Sequence, residues 1–301
     1  MTPDRPPVFR PPDEGDRRTF PWGSAVVAAG ADATAGRYDF GVVTIDPGGS
    51  TPRHRHPFSL GIYVVEGRVR LNVGGGHSDR TLHPSGFAVI PAGVPHTLES
   101  IGGSPAKLAV LGVPGGWFEA IAAEDPSRFD LRTGDEADDG PDRPMGDVII
   151  VGVDDGDVFD AAGDRYRFLA TSDDTSGRFA LWHAAVPPGG GPPPHRHLCE
   201  DEAFFILDGQ MRFDAGDESF TADPGAFVGL PVRGRHQFHN DTDAPATLLM
   251  IVAPGGLDRM FRLNGRPIGD PSSTDIHPID AEQIEALQTN GPDFGIVIEP
   301  E

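Results

Sequence analysis

Short hydrophobic runs with interspersed polar positions recur along the chain and are bounded by Gly, Pro or Asp. Runs of roughly four to eight residues, rich in β-branched side chains, predict β-strands. They cover residues 60–65, 68–73, 87–90 and 107–113 in the first half and 203–207, 210–214, 226–230 and 247–252 in the second. Many short strands joined by Gly- and Pro-containing turns favour an all-β sandwich or barrel.

Helical patterns are few and short. Residues 117–121 and 257–262 each follow the last predicted strand of one half of the chain, and we expect a short helix at each. Residues 281–288 form a better helical pattern, with Asp280 placed to act as its N-cap.

The chain contains one unit twice. The segment His54-Arg-His56 recurs as His195-Arg-His197, and each follows a turn that contains Pro-Gly-Gly. Further matches continue at a nearly constant offset to a second Pro-Gly-Gly after the last predicted strand. Two copies at this period predict two domains of the same fold.

The composition between the two copies predicts where the domains end. A stretch rich in Asp, Gly and Pro separates them, and the first residues are polar and Pro-rich. The apolar end of the last segment favours its packing on one of the domains. The predicted parts are an N-terminal arm (1–15), an N-terminal domain (16–132), an acidic linker (133–146), a C-terminal domain (147–270) and a tail with a short helix (271–301).

Charge and cysteine content exclude several classes of protein. The chain has 24 Lys and Arg against 46 Asp and Glu, a net charge of −22, which argues against a nucleic-acid partner or an anionic membrane surface. Its single cysteine excludes a disulfide framework and a Cys-rich zinc module. No apolar signal segment and no membrane-length apolar run is present, so we expect a cytoplasmic protein.

Histidines carry the candidate chemistry. His195 and His197 are two residues apart in a predicted strand, so both imidazoles can face the same point. Glu202 and His236 follow, and the four side chains could meet at one centre. Nitrogen and oxygen donors without thiolates suit one divalent transition metal, namely Fe, Mn, Ni, Cu, Co or Zn.

This pattern resembles the two motifs of the cupin superfamily, and the resemblance covers most of both copies. The residues that match are Gly189, His195, His197, Glu202, Gly209, Gly225, Pro231, His236 and Asn240. Arg233 stands where the second motif has its middle Gly, which could shift the turn by one residue. The resemblance implies two tandem jelly-roll β-barrels in one chain, a bicupin, with the metal inside a barrel.

The first copy matches the motifs less completely. His54, His56 and His96 are present, but the position that corresponds to Glu202 is Leu60 or Gly61. Three histidines alone can hold a metal, so a second metal in the N-terminal domain is one interpretation. The other is a barrel that only stabilises the fold or a subunit interface.

Strand alternation predicts which side chains accompany the metal ligands. Residues on the same faces would form an apolar pocket suited to an apolar or aromatic substrate. An ordinary barrel core explains the same pattern. The predicted pocket residues are Phe204, Ile206, Met211, Phe213 and Phe238.

Three hypotheses for function follow. By its motifs the chain looks most like the quercetin 2,3-dioxygenase-like group, which implies a metal-dependent dioxygenase that uses O2 on a flavonol-like enol or phenol, with Glu202 as a metal ligand and general base. The second hypothesis is a non-oxidative metal enzyme, such as an isomerase, lyase or decarboxylase. The third is a non-catalytic bicupin that binds a small molecule. A homodimer is common among proteins that resemble this one.

Overall fold

The computed structural model describes residues 5–74, 78–118, 147–269 and 275–299. The chain divides into two units. One, here called the N-terminal barrel, spans Glu14–Asp155, and the other, the C-terminal barrel, combines Met1–Asp13 with Gly156–Glu301.

Most of the described residues outside turns are in β-strands. In the first half they are β1 (Val8–Arg10), β2 (Asp16–Phe20), β3 (Gly23–Ala29), β4 (Asp39–Ile45), β5 (Ser59–Glu66), β6 (Val69–Val73), β7 (Ser78–Leu82), β8 (Phe87–Ile90), β9 (His96–Ser100), β10 (Ala106–Val113) and β11 (Ile149–Val151). In the second half they are β12 (Val158–Ala161), β13 (Asp164–Ala170), β14 (Ala180–Val186), β15 (His195–His197), β16 (Asp201–Asp208), β17 (Met211–Ala215), β18 (Glu218–Ala222), β19 (Phe227–Leu230), β20 (His236–His239), β21 (Ala246–Ala253), β22 (Arg266–Pro267) and β23 (Ile296–Ile298).

The N-terminal barrel consists of two antiparallel sheets. One has the strand order β11-β8-β5-β10-β4-β3-β2 and the other β7-β6-β9. The described core between them is mainly aliphatic and includes Ile45, Ile62, Val64 and Leu71, each fully buried. Alternate residues of strands such as β9 are buried, as expected for strands with one face on a core.

The C-terminal barrel has the same arrangement with larger side chains inside. Its sheets have the orders β1-β19-β16-β21-β14-β13-β12-β22 and β18-β17-β20-β15-β23. Trp182, Phe204, Phe213 and Phe238 pack in its core. The expectation of an all-β chain with two tandem barrels is confirmed.

Two helices lie wholly within the described residues, and both belong to the C-terminal barrel. Helix α1 spans Leu257–Asn264 and α2 spans Ala281–Asn290, followed by a 3-10 turn at Gly291–Phe294. Asp280 caps α2 as expected, since its Oδ1 accepts the Gln283 N–H at 2.8 Å. No described helix is long and apolar enough to span a bilayer.

The ends of the two units differ from the predicted domain boundaries. Described residues of the expected arm belong to the C-terminal barrel, where β1 pairs with β19. Residues 147–155, expected in the C-terminal domain, belong to the N-terminal barrel, where β11 pairs with β8. Short apolar runs can extend any open sheet edge, so their composition does not reveal their partner. The predicted linker at 133–146 lies outside the described residues.

The tail packs on the C-terminal barrel. Strand β23 pairs with β15, so that Ile298 lies opposite His195 and Ile296 opposite His197. Upstream, His277 anchors the tail: its Nδ1 lies 2.6 Å from Oδ2 of Asp160, which is buried and also bound by Arg165. The tail therefore covers the strand that carries two candidate ligands.

Candidate metal centre

Two sheets of the C-terminal barrel bring four candidate ligands together. His195 and His197 lie on β15 with their rings on one face, and His236 on β20 is the direct cross-strand partner of His195. Glu202 comes from β16 in the opposite sheet. Their donor atoms lie within 4.8 Å of one another, and all four residues are buried.

The Glu202 carboxylate faces all three imidazoles. Its Oε2 lies 3.0 Å from Nε2 of His236, 3.3 Å from Nε2 of His197 and 4.0 Å from Nε2 of His195. The inward atoms are thus Nε2 nitrogens and a carboxylate oxygen, the donor types that transition metals accept.

The outward ring nitrogens are fixed by hydrogen bonds. Nδ1 of His195 lies 2.9 Å from the Pro193 carbonyl, and Nδ1 of His236 lies 3.0 Å from the Gly234 carbonyl. A carbonyl only accepts, so Nδ1 carries the proton and the Nε2 lone pair points inward. Nε2 of His197 is buried and makes no hydrogen bond among the described residues. These residues fit a divalent metal ion.

Burial and charge act in opposite directions on this cluster. Burial lowers the pKa of His195 to about 3. Burial also opposes charge on His197, but the Glu202 and Glu200 carboxylates outweigh it and raise the pKa of His197 to about 9. The imidazoles of His197 and His236 hold the pKa of Glu202 well below its usual value despite burial. The carboxylate is therefore ionised and ready to act as a ligand.

The N-terminal barrel repeats the histidine part of this arrangement. Nδ1 of His54, His56 and His96 lies 2.7 to 3.0 Å from backbone carbonyls. The buried Nε2 atoms of His56 and His96 make no hydrogen bond within the described residues. Burial lowers the pKa of all three rings, which keeps them neutral. This cluster also has the donors and the geometry for a metal, but with three ligands.

Strand register identifies the residue that replaces the carboxylate. Leu60 pairs with Ile90 and Gly112, as Glu202 pairs with Leu230 and Val252. Of the two positions that the sequence left open, Leu60 is therefore the counterpart of Glu202. Its buried side chain offers no ligand atom.

The turn before His236 keeps the geometry of its counterpart. Arg233 has φ 70°, the left-handed conformation that Gly93 adopts at φ 81° in the first copy. The Arg233 N–H donates to the His197 carbonyl as the Gly93 N–H donates to the His56 carbonyl. The prediction that this turn shifts by one residue is wrong, because Arg233 itself adopts the strained left-handed backbone conformation.

A cavity of about 50 Å³ adjoins the C-terminal cluster and is lined in part by His195, His197 and Glu202. The rest of its lining is mainly apolar, and no Arg or Lys is among the described residues that line it. Of the five predicted pocket residues, Phe238 lines the cavity. The other four predicted pocket residues do not line it within the described chain and instead pack in the barrel core: Phe204, Ile206, Met211 and Phe213. They lie farther along their strands, beyond the ligand end of the barrel.

Sequence reasoning missed several residues of this site. Glu200 supports His197, the tail provides Leu287, Ile296 and Ile298 to the cavity wall, and Tyr166 also lines the cavity. The spacing of Glu200 from His197 was visible in the sequence. The others come from segments whose place in the barrel only the fold reveals.

Known proteins share features with both halves of this chain. The family model for the cupin domain matches twice, over residues 41–112 and 182–252. No curated protein sequence gives a significant match.

Several solved structures share the fold at low sequence identity. A Bacillus subtilis oxalate decarboxylase variant matches with 16% identity and TM-score 0.63, covering 97% of this chain and 89% of the other. The formate complex of Lactobacillus farciminis oxalate decarboxylase matches with 14% identity and TM-score 0.62, covering 83% and 86%. AerE from Microcystis aeruginosa matches with 16% identity and TM-score 0.60, covering 82% and 98%. With a cupin domain in each barrel and the motif histidines of both gathered inside, the chain belongs to the cupin superfamily as a two-domain bicupin.

Proposed function

We propose that the chain is a metal-dependent enzyme whose C-terminal barrel catalyses a non-oxidative reaction, an isomerisation, elimination or decarboxylation, on a small molecule. The observation that carries the proposal is the buried set of three histidines and one glutamate that opens onto an apolar cavity. The similar structures named above include oxalate decarboxylases, whose reaction belongs to this class.

The cavity limits the substrate. A bound divalent metal would polarise a chelated carbonyl or enol oxygen of the substrate. Because no Arg or Lys lines the described cavity, a doubly charged acid such as oxalate would have no guanidinium or ammonium group to pair with. We therefore propose a substrate with one chelating oxygen group and an apolar body.

Glu202 is the residue that we assign to proton transfer. Its Oε2 faces the centre of the cluster, and the neighbouring imidazoles of His197 and His236 keep it ionised. In this position it can accept a proton from a substrate hydroxyl or from the carbon beside a chelated carbonyl. The surrounding apolar wall excludes water from that proton.

The second candidate is a dioxygenase acting on a flavonol-like enol with O2. The apolar cavity favours it equally, because a phenolic substrate also joins a chelating oxygen group to an apolar body. Only the requirement for O2 separates the two reactions.

For the N-terminal barrel we propose a second, three-histidine metal site at His54, His56 and His96. Without a carboxylate it lacks the proton acceptor of the other barrel. We therefore assign catalysis to the C-terminal site alone.

The test combines metal analysis with turnover in air and under nitrogen. Purified protein is reconstituted with each candidate metal and assayed against aryl and alkyl 2-keto acids, 3-keto acids and flavonols. The proposal expects turnover under nitrogen that E202Q and H236A abolish. H239A is the matched control, because His239 lies on the same strand outside the donor set.

Each result identifies one hypothesis. Turnover that stops under nitrogen would refute the non-oxidative reaction and support the dioxygenase. Metal binding without any turnover, unchanged in E202Q, would leave a small-molecule-binding bicupin.

A further inference from the structure

Tyr166, which carries a hydroxyl, is part of the mainly apolar wall of the C-terminal cavity. It lies on β13, its side chain is buried, and it lines the same cavity as Glu202 and the ligand histidines. The remaining described lining consists of Ala, Pro, Met and larger hydrophobic side chains. A phenol hydroxyl removed from water in such surroundings needs a hydrogen-bond partner.

Asp164 is the partner within the protein. It precedes Tyr166 by two residues on the same strand face, and the Tyr166 hydroxyl lies 3.2 Å from its Oδ2. The Asp164 side chain is fully buried and also accepts the Gly191 N–H. Its Oδ1 makes no hydrogen bond with the described residues. The barrel thus buries a carboxyl group whose hydrogen bonding the protein only partly satisfies.

The two barrels differ at these positions. In the N-terminal barrel, Ala25 occupies the position of Tyr166. Ala25 pairs with Val43 between β3 and β4, and Tyr166 pairs with Ala184 between the corresponding strands β13 and β14. Gly23 occupies the place of Asp164. The fold therefore forms without this hydroxyl and carboxyl. The Tyr166–Asp164 pair therefore occurs in the barrel that has three histidines and a glutamate, and the corresponding positions of the three-histidine barrel lack it.

Burial decides where the protons of this pair reside. It raises the pKa of Asp164 to about 8. It raises the pKa of Tyr166 well above its usual value, and the negative charges of Asp164 and Glu202 add to the effect. A protonated Asp164 can donate to the phenol oxygen, which leaves the Tyr166 proton free to turn toward the cavity.

We propose that Tyr166 donates a hydrogen bond to the bound substrate across the cavity from the histidine and glutamate donors, and that Asp164 positions it. The inference rests on the proposed function. It adds to the substrate class a second oxygen, a carbonyl or hydroxyl that accepts from Tyr166 while the chelating group faces the metal ligands. Tyr166 is then a residue that touches substrate, and Asp164 is a positioning residue.

The test uses benzohydroxamate, a bidentate oxygen chelator with an apolar ring, on the full-length protein reconstituted with Co²⁺. Metal content is measured first, and the Kd of the probe is then read from the visible absorption of the Co²⁺ centre. We expect Y166F to raise that Kd about five- to tenfold, the loss of one buried hydrogen bond. D164A should approach the same value, whereas D164N, whose side-chain NH2 group can still donate to the phenol oxygen, should lie between.

The matched control is Y63F, which removes a buried tyrosine hydroxyl from the N-terminal barrel. It should leave the Kd of the probe unchanged. An effect of Y63F as large as that of Y166F would overturn the proposal, because it would reveal a general response to losing a tyrosine hydroxyl.

A second readout does not depend on any variant folding with full stability. The chain has three tyrosines, so protein labelled with 3-fluorotyrosine gives three ¹⁹F resonances. With Zn²⁺ in place of Co²⁺, the probe should shift the resonance that Y166F removes and leave the other two unchanged.

The outcomes separate this inference from the proposed function. Metal and probe binding with an unshifted Tyr166 resonance and an unchanged Kd in Y166F would reduce the Tyr166–Asp164 pair to a structural role. Protein that takes up no metal would refute both. If the probe binds with the expected contribution from Tyr166 but the protein shows no turnover, the inference is supported and the proposed enzymatic function is refuted.

Discussion

Nδ1 of His197 lies 3.0 Å from Oε1 of Glu200, and both side chains are buried. The other two histidines of the C-terminal cluster bind backbone carbonyls through Nδ1, so His197 alone among its three imidazoles has a carboxylate behind it. A carboxylate at this position orients the ring and makes its other nitrogen a stronger donor.

We therefore expect E200A to weaken metal binding at the C-terminal site about 10- to 100-fold, the range for such supporting residues. Competition with a chromophoric chelator measures the affinity for Zn²⁺. E218A, at an exposed position on β18, is the control. Equal affinity of E200A and the wild type would mean that Glu200 only fills space.

Leu60 can be used to test why the two barrels differ. We expect L60E to destabilise the metal-free protein by about 2–5 kcal/mol, because a buried leucine is lost and a carboxylate enters the core. Added Zn²⁺ should restore much of that stability by binding three histidines and the new carboxylate. Thermal unfolding with and without metal measures both effects.

L60Q is the matched control for this experiment. It has nearly the same shape but no charge, so its response to metal should stay close to that of the wild type. A larger metal-induced gain in L60Q than in L60E would show that the introduced carboxylate is not a ligand.

Asp164 predicts a pH dependence of stability. Burial raises its pKa to about 8 in the folded protein, whereas an unfolded chain has the ordinary value near 4. Between these values the folded state holds a proton that the unfolded state has released. The contribution of Asp164 to stability is therefore fully present below about pH 4 and is lost as the pH rises through about 8.

D164N removes this titration, so its free energy of unfolding relative to the wild type should increase between about pH 5 and about pH 9. Urea unfolding at several pH values gives the difference. D217N, an exposed substitution in the turn between β17 and β18, should show no such trend. A difference between D164N and wild type that stays constant with pH would contradict the assignment.

Arg233 predicts a stabilising substitution. It adopts φ 70° at a position where the other copy has Gly93, and a left-handed conformation costs an ordinary residue roughly 1–2 kcal/mol. R233G should therefore raise the free energy of unfolding by about 0.5–1 kcal/mol. This net value allows for the larger loss of conformational entropy when Gly is ordered on folding. Chemical denaturation measures it, and a stability below that of the wild type would mean that the arginine side chain contributes more than the strain costs.

Local pattern was sufficient for much of the fold and for the donor set. The eight strands predicted from hydrophobic runs are present, and the side chains of His195, His197, Glu202 and His236 meet at one centre, as their spacing predicts. These features depend on the two-residue period of strands and on a repeated motif, which are local properties of the sequence.

The cavity wall was harder to predict because it depends on distant pairings. Ile296 and Ile298 reach the site because β23 extends the sheet beside β15, and Tyr166 reaches it because β13 runs through the opposite sheet. Neither placement follows from composition. Phe204 and Phe213 point into the barrel, but they lie too far along it to reach the cavity. Strand alternation predicts the face on which a residue lies and not its position along the barrel.

Strand β1 has a consequence for how the C-terminal barrel is made and handled. The first described residues of the chain supply the outer strand of a sheet whose neighbour, β19, is synthesised only after the whole N-terminal barrel. Arg5 on the same segment lies 2.5 Å from Asp201, a buried carboxylate next to Glu202. An N-terminal deletion that removes this segment would therefore expose a sheet edge to aggregation. It would also remove the arginine that pairs with a buried carboxylate beside a candidate metal ligand, although the deletion lies far from that site in sequence.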